Sequence, residues 1–442
     1  MRETKNELTA IAKRVLSAAE KLGASQSSAS VSRSRFFKVG TRNGMVESLE
    51  ESSDRGLFLR LFVNGKYAEA STSDLSNQAV DAFVERAFEA TRLLHPEPDR
   101  ALPDSELIEE LPAVDLDNFD PAIDKVSKER KMDMALRADK AARAVDEAVF
   151  SAQGGFNERR GQQVLLTSEG FEGYQDSTSF YVVGSAAVQD DDHRRRSQWA
   201  YQQGVKLSTL DDPESIGTEA ARRALSTLGA GPVPTGTYTL VLENRAAPWI
   251  LRLIRGPLSG QSLHQDRSFL KGKLNKKIAA PKLTITDNPL MKQGLASRLF
   301  DGEGIPARTR PIIESGVLKN YYLDTYYARR LDLQPTTGSA SNLLISPGTY
   351  SAEEIIKGVE KGIFVNSFLG GNSNSLTGDY SAGIGGFLIE DGEIGRPVAE
   401  VNVGGKVQDL LMSLAEVGND PFEYSRSRVP TLKLPGVSVA GT

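Results

Sequence analysis

His95, His193 and His264 are all the imidazole that this 442-residue chain possesses, and cysteine is absent. No two of the three lie within three to five residues of each other, the spacing by which one helix presents two ligands to one ion. HExxH and HExxxH are therefore both missing. Without cysteine there can be no disulfide, thiolate metal site, iron–sulfur cluster or cysteine nucleophile. No serine sits in a GxSxG elbow. His264, within Ser262-Leu263-His264-Gln265-Asp266, is the best candidate base for a dispersed Ser-His-Asp arrangement, though an exposed polar histidine is the plainer reading. The residues themselves thus offer no recognisable catalytic motif and no helical metal-ligand pair.

Gly383-Ile384-Gly385-Gly386 has the look of a phosphate loop, but a dinucleotide fingerprint needs glycines at fixed spacing between a strand and a helix. Here the glycines run into Phe387-Leu388-Ile389-Glu390, then Asp391-Gly392, then Glu393-Ile394. That order predicts strand, type I′ turn, strand, with the glycines marking close packing or a ligand-facing edge.

The elements that must position any site read as α+β. Residues 5–22 predict an amphipathic helix from Leu8, Ile11, Val15, Leu16 and Ala19. Residues 57–63 and 66–72 predict a hairpin around Asn64-Gly65, and Asn43-Gly44 predicts another turn. A helix over 74–94 follows, with Asp74 as its expected cap. Residues 96–121 carry Pro96, Pro98, Pro103, Pro112 and Pro121 among many acids, a linker or extended strap. A helix is expected over about 122–149 and long strands over 161–207, with Asp190 to Arg196 as a charged, solvated hairpin tip. A second boundary falls near Gly229 to Pro234, with strands beyond it at 237–242, 282–287 and 312–318. The expected organisation is an N-terminal α+β module (1–95), the strap (96–121), a middle α+β module (122–230) and a β-rich C-terminal domain with short helices (231–442).

Hydrophobic residues are 39% and charged residues 25%, ordinary values for a globular chain. A formal net charge of −5 disfavours non-specific nucleic-acid binding, which needs clustered Lys and Arg. The N-terminal stretch has no apolar signal core and the chain has no apolar run of about 18 residues, so a cytoplasmic protein with no membrane span is expected.

Several segments resemble the TldD/PmbA family, once described as modulators of DNA gyrase. The run over 377–405 (TGDYSAGIGGFLIEDGEIGRPVAEVNVGG) is the strongest, supported by 300–331, TTGSASNL at 336–343, AEVGND at 415–420 and, in the first half, 42–75. The catalytic TldD type carries HExxxH on a helix and a later cysteine ligand. The corresponding stretch here, Ala247 to Arg255, has no histidine, and Glu243 is its only acidic neighbour. Gly378-Asp379-Tyr380-Ser381 is typical of the TldE (PmbA) type. The resemblance implies a non-catalytic subunit without a cofactor of its own. It implies zinc only in a TldD-type partner of a heterodimer, and an extended peptide as substrate, held as an added strand. The resemblance leaves a homodimer open for the isolated chain. Gly370, Gly371 and Asn372, with Gly378, Asp379, Tyr380 and Ser381, are the candidate peptide groove or interface, because side-chain-poor backbone permits close approach. The plainer alternative is a turn in which Asp379 satisfies backbone amides and Tyr380 packs. The competing functional readings are a stand-alone homodimeric peptide-binding protein without hydrolytic activity, and a metal-independent enzyme using Asp379, Tyr380 or His264.

Overall fold

A computed structural model describes residues 2–190 and 193–442. Asp191 and Asp192 of the expected charged tip lie outside the described residues. The chain opens with α1 (Arg2–Leu22), whose Leu8, Ala12, Val15 and Ala19 form one buried stripe at helical spacing. Then come β1 (Gln26–Arg42), β2 (Met45–Val63) and β3 (Lys66–Thr72). Asn43 and Gly44, then Asn64 and Gly65, occupy the two hairpin turns with positive φ throughout, as type I′ turns require. α2 (Asn77–Arg92) starts later than expected. Asp74 does not cap it: its carboxylate accepts the Ser76 amide at 3.0 Å in an Asx turn, and Ser76 is the capping position.

Residues 95–121 form a strap lying against both halves of the chain. Leu102 N donates to Gln26 Oε1 at 3.0 Å, and Arg329 donates to the Leu102 carbonyl at 3.0 Å. The helix expected over 122–149 is shorter. Pro121–Asp124 is a separate 3₁₀ turn, and α3 (Lys128–Arg143) begins after Ser127, whose hydroxyl accepts from Arg130 N. β4 (Val149–Thr167), β5 (Glu172–Gln189), β6 (Arg195–Gly204) and α4 (Pro213–Leu225) complete the first half.

These strands build one antiparallel sheet in the order β3-β2-β1-β4-β5-β6. β1, β2, β4 and β5 are 17 to 19 residues long, about three times an average strand. One sheet face can therefore seat two helix pairs end to end. Ala29 and Val31 pack with Leu8, Val15, Val80 and Val84 under α1 and α2; Phe37 and Val39 pack with Met134 and Ile216 under α3 and α4.

The second half contains β7 (Gly236–Leu242), α5 (Pro248–Arg255), α6 (Gly260–His264), β8 (Ile285–Asp287), β9 (Arg310–Glu314), β10 (Val317–Leu318) and α7 (Thr325–Leu331). It continues with β11 (Leu343–Ile345), α8 (Ala352–Lys357), β12 (Lys361–Ser373), β13 (Asp379–Glu390), β14 (Glu393–Lys406), α9 (Val407–Met412), β15 (Glu416–Val417), β16 (Ser427–Arg428) and β17 (Leu432–Ala440). One sheet runs β10-β9-β8-β11-β16. The other runs β14-β13-β12-β7-β17-β15, and a further β14–β17 pairing closes five of its strands into a ring. The α+β class holds, with the second half β-rich and its helices short.

Asp391 and Gly392 make the expected positive-φ turn between β13 and β14. The Gly383–Gly386 run lies inside β13, where a Cβ on Gly386 would stand 1.9 Å from the Phe364 carbonyl oxygen: close packing, not a phosphate cradle. Among the described residues no helix is long and apolar enough to cross a membrane.

Candidate functional site

α5 is the wall around which the site is organised. Pro248 takes its first turn, where a missing N–H leaves no bond unmade. Trp249, Ile250, Leu251, Leu253 and Ile254 enter the core, while Arg252 and Arg255 stay exposed, three residues apart on one face of the last turn. The negative end of the helix dipole favours cations there. Trp249 stacks on Phe368 of β12 with centroids 4.2 Å apart and planes 10° from parallel, and Tyr380 meets it edge-on at 5.4 Å.

This face borders a cavity of about 520 Å³ between the two halves of the chain. β6 contributes Trp199 and Tyr201, β12 contributes Asn366 to Leu369, and Ser425 to Ser427 close another side. Trp199 is 53% exposed and stacks on Tyr201, which meets Phe422 edge-on. Arg223, Arg245, Arg252, Arg255 and Arg426 all line the cavity, and among the described residues no aspartate or glutamate does.

The guanidiniums are not equivalent. Arg223, from α4, grips Glu243 through both Nη atoms at 2.6 and 2.7 Å. Burial opposes its charge, but the paired Glu243 holds it above its usual range. Arg245 lies 5.0 Å over the Phe422 ring, and its Nη1 is buried with no hydrogen-bond partner among the described residues. Burial first, and then repulsion from Arg223, hold its guanidinium below the usual range. Asn366, only 9% exposed, likewise has an Oδ1 with no partner among the described residues.

A second cavity of about 400 Å³ shares Trp249, Arg252 and Phe368 with the first and continues along Gly370, Gly371, Asn372 and Ser373. β12 runs beside both. It pairs with β7 only over Gly362 to Val365, whereas its pairing with β13 continues to Ser373. From Asn366 onward, β13 is thus its only ladder partner among the described residues. Gly370 and Gly371 have positive φ and form an irregularity in that ladder.

Of the seven residues expected at a groove, Gly370, Gly371 and Asn372 line the second cavity. Gly378, Asp379, Tyr380 and Ser381 line neither cavity. Gly378 is in the turn before β13 with φ +77°, and a Cβ there would stand 2.0 Å from Gln408 Oε1. Asp379 is exposed. The Lys406 ammonium 2.7 Å away, then the Thr377 hydroxyl, hold its carboxyl below its usual range. Tyr380 is buried under Trp249, and burial pushes its phenol up to about 12. Ser381 is exposed on β13 opposite Asn372.

The histidines stay apart. His95 is exposed in the strap, and His193 is exposed between β5 and β6. His264 ends α6, with Nε2 3.5 Å from an Arg330 Nη2. The cavity arginines escaped the sequence reading because the five come from four separate places in the chain; only Arg252 and Arg255 share a legible helical spacing.

Three family models match in chain order: PmbA/TldA metallopeptidase domain 1 over residues 28–91, the central domain over 121–228 and the C-terminal domain over 235–441. This chain belongs to the PmbA/TldD family. It is similar to the metalloprotease PmbA of Escherichia coli O157:H7, 33% identical over 93% of this chain and 91% of that one. A solved structure described as a putative modulator of DNA gyrase from Bacteroides thetaiotaomicron superposes with a TM-score of 0.95 at 34% identity, covering 98% and 99% of the two chains. TldE from Thermococcus kodakarensis shares the fold, with a TM-score of 0.87 at 21% identity over 98% and 100% of the chains.

A metallopeptidase family implies a metal ion, and the residues lining this cavity do not fit one. The exposed face of α5 presents Arg252 and Arg255, and the cavity beside it gathers five guanidiniums that repel a cation. Among the described residues no three His, Asp or Glu side chains converge as a ligand group.

Proposed function

We propose that this chain is the non-catalytic, TldE-type half of a TldD/TldE-like metallopeptidase complex that degrades or processes unfolded peptides. The single observation that carries the reading is the α5 wall, cationic and without metal ligands, standing beside an open strand edge. An extended peptide laid along β12 from Asn366 to Ser373 would complete the ladder through main-chain hydrogen bonds, with little demand on its sequence. Gly370, Gly371 and Asn372 would let its backbone come close, while Tyr380 would hold Trp249 and Phe368 in place as the floor. Gly378, Asp379 and Ser381, outside both cavities, would shape the β12–β13 connection. The TldD-type partner would supply zinc, which activates water and polarises the peptide carbonyl when bound there.

The test is hydrolysis of a fluorogenic unfolded peptide by the purified chain, by a TldD-type partner from the same source, and by the two together. The chain alone is expected to be inactive, and the mixture active and abolished by a chelator. Chelator-resistant hydrolysis by the chain alone overturns the proposal. Peptide binding with no hydrolysis on adding the partner would instead favour the stand-alone binding protein.

A further inference from the structure

We propose that the cavity beside α5 is a carboxylate-binding pocket that selects peptides bearing an acidic side chain or a free C-terminus. The inference deepens the peptide-holding role and rests on it. In a chain of net charge −5, five guanidiniums face one cavity of about 520 Å³ that no aspartate or glutamate lines among the described residues. Among the described residues only Arg223 of the five carries an ion pair, with Glu243. Among the described residues Arg245 has a buried Nη1 with no partner, and Asn366 an unpartnered Oδ1 in a residue nine-tenths buried. A buried polar atom without a partner is costly, so both mark a strained polar lining beside the cavity. An arginine fork matches a carboxylate through two parallel N–H bonds. Trp199 at the rim supplies a flat apolar surface for the rest of the peptide. Because the cavity opens along the free edge of β12, a peptide on that edge runs past the guanidiniums. Nucleic acid is disfavoured because these cations line a pocket and do not form a stripe along a groove, and no lysine joins them.

The experiment measures binding of four fluorescent heptapeptides to the purified chain. One has neutral side chains and an amidated C-terminus. The second has a free C-terminus, the third an internal glutamate with an amidated C-terminus, and the fourth both carboxylates. A carboxylate should tighten Kd by about tenfold or more over the neutral amide. Whether the second or the third peptide gains decides which carboxylate the pocket reads. Arg252→Gln with Arg255→Gln, both exposed on α5, should remove most of the gain while leaving the thermal midpoint unchanged; Arg252→Lys should lose part of it. Equal binding of all four peptides, a preference that survives Arg245→Gln with the two α5 changes, or tighter binding of a single-stranded oligonucleotide than of any peptide overturns the pocket. Failure of all four to bind also overturns it. The helper-subunit reading would still stand if chelator-sensitive hydrolysis appears with the partner, so the two failures are distinguishable.

Discussion

Glu303 lies between β8 and β9 and accepts the Thr325 amide and hydroxyl at 2.9 Å each, pinning the first turn of α7. Burial, with Asp301 and Asp324 nearby, pushes its carboxyl up to about 7 from a usual 4.5. A carboxyl with a raised folded pKa binds protons on folding, so its contribution favours the fold at acid pH and weakens as pH rises from about 4.5 to 7. Glu303→Gln keeps an acceptor for Thr325 and removes the charge. Chemical denaturation should show the variant more stable than the parent at pH 8, by on the order of 1–3 kcal/mol, and close to it at pH 4.5. Equal stability at both values would contradict this. Lys131 and Glu158 form the other informative pair, with Nζ 2.5 Å from Oε1 and both side chains under a tenth exposed. Burial pushes the Glu158 carboxyl up even with Lys131 beside it. Lys131→Met should cost on the order of 3–5 kcal/mol at pH 8, because it strands a buried carboxylate, and less at pH 5. Adding Glu158→Leu should recover part of that loss in the same measurement.

Elements were legible in the sequence where local chemistry dictates them and illegible where tertiary pairing does. The Asn43-Gly44, Asn64-Gly65 and Asp391-Gly392 turns could be read because few residues tolerate positive φ at both central positions. The first half of β2, Met45 to Gly56, could not. It is an exposed edge rich in Glu47, Glu50, Glu51 and Asp54, with no apolar alternation, and it is a strand only because β1 pairs with it along its whole length. Charges on such an edge also discourage pairing with other chains. The α3–α4 crossing depends on Gly217, where a Cβ would stand 2.0 Å from the Ala138 carbonyl oxygen and the backbone lies against Gly184 of β5. Gly217→Ala forces α3 and α4 apart. It should lower stability by on the order of 2 kcal/mol in urea unfolding, whereas Gly229→Ala, whose Cβ meets nothing within 4 Å, acts only through its positive φ and should cost less.

At the scale of the molecule, the missing metal ligands were visible in the residue count, but what replaces them was not. Arg223 comes from α4, Arg245 and Arg252 from the β7–α5 region and Arg426 from the segment before β16. Nothing in their spacing foretells that folding gathers them. The two halves meet through the strap and through Arg194 with Glu400, so the cavity is a property of the assembled chain. The most direct test of the account is zinc content. Each protein is dialysed against zinc, desalted and measured by plasma mass spectrometry, first the isolated chain and then its complex with a TldD-type partner. The account predicts essentially no zinc per isolated chain and about one per heterodimer, as expected of a single catalytic site in the partner. One tightly held zinc per isolated chain would contradict it.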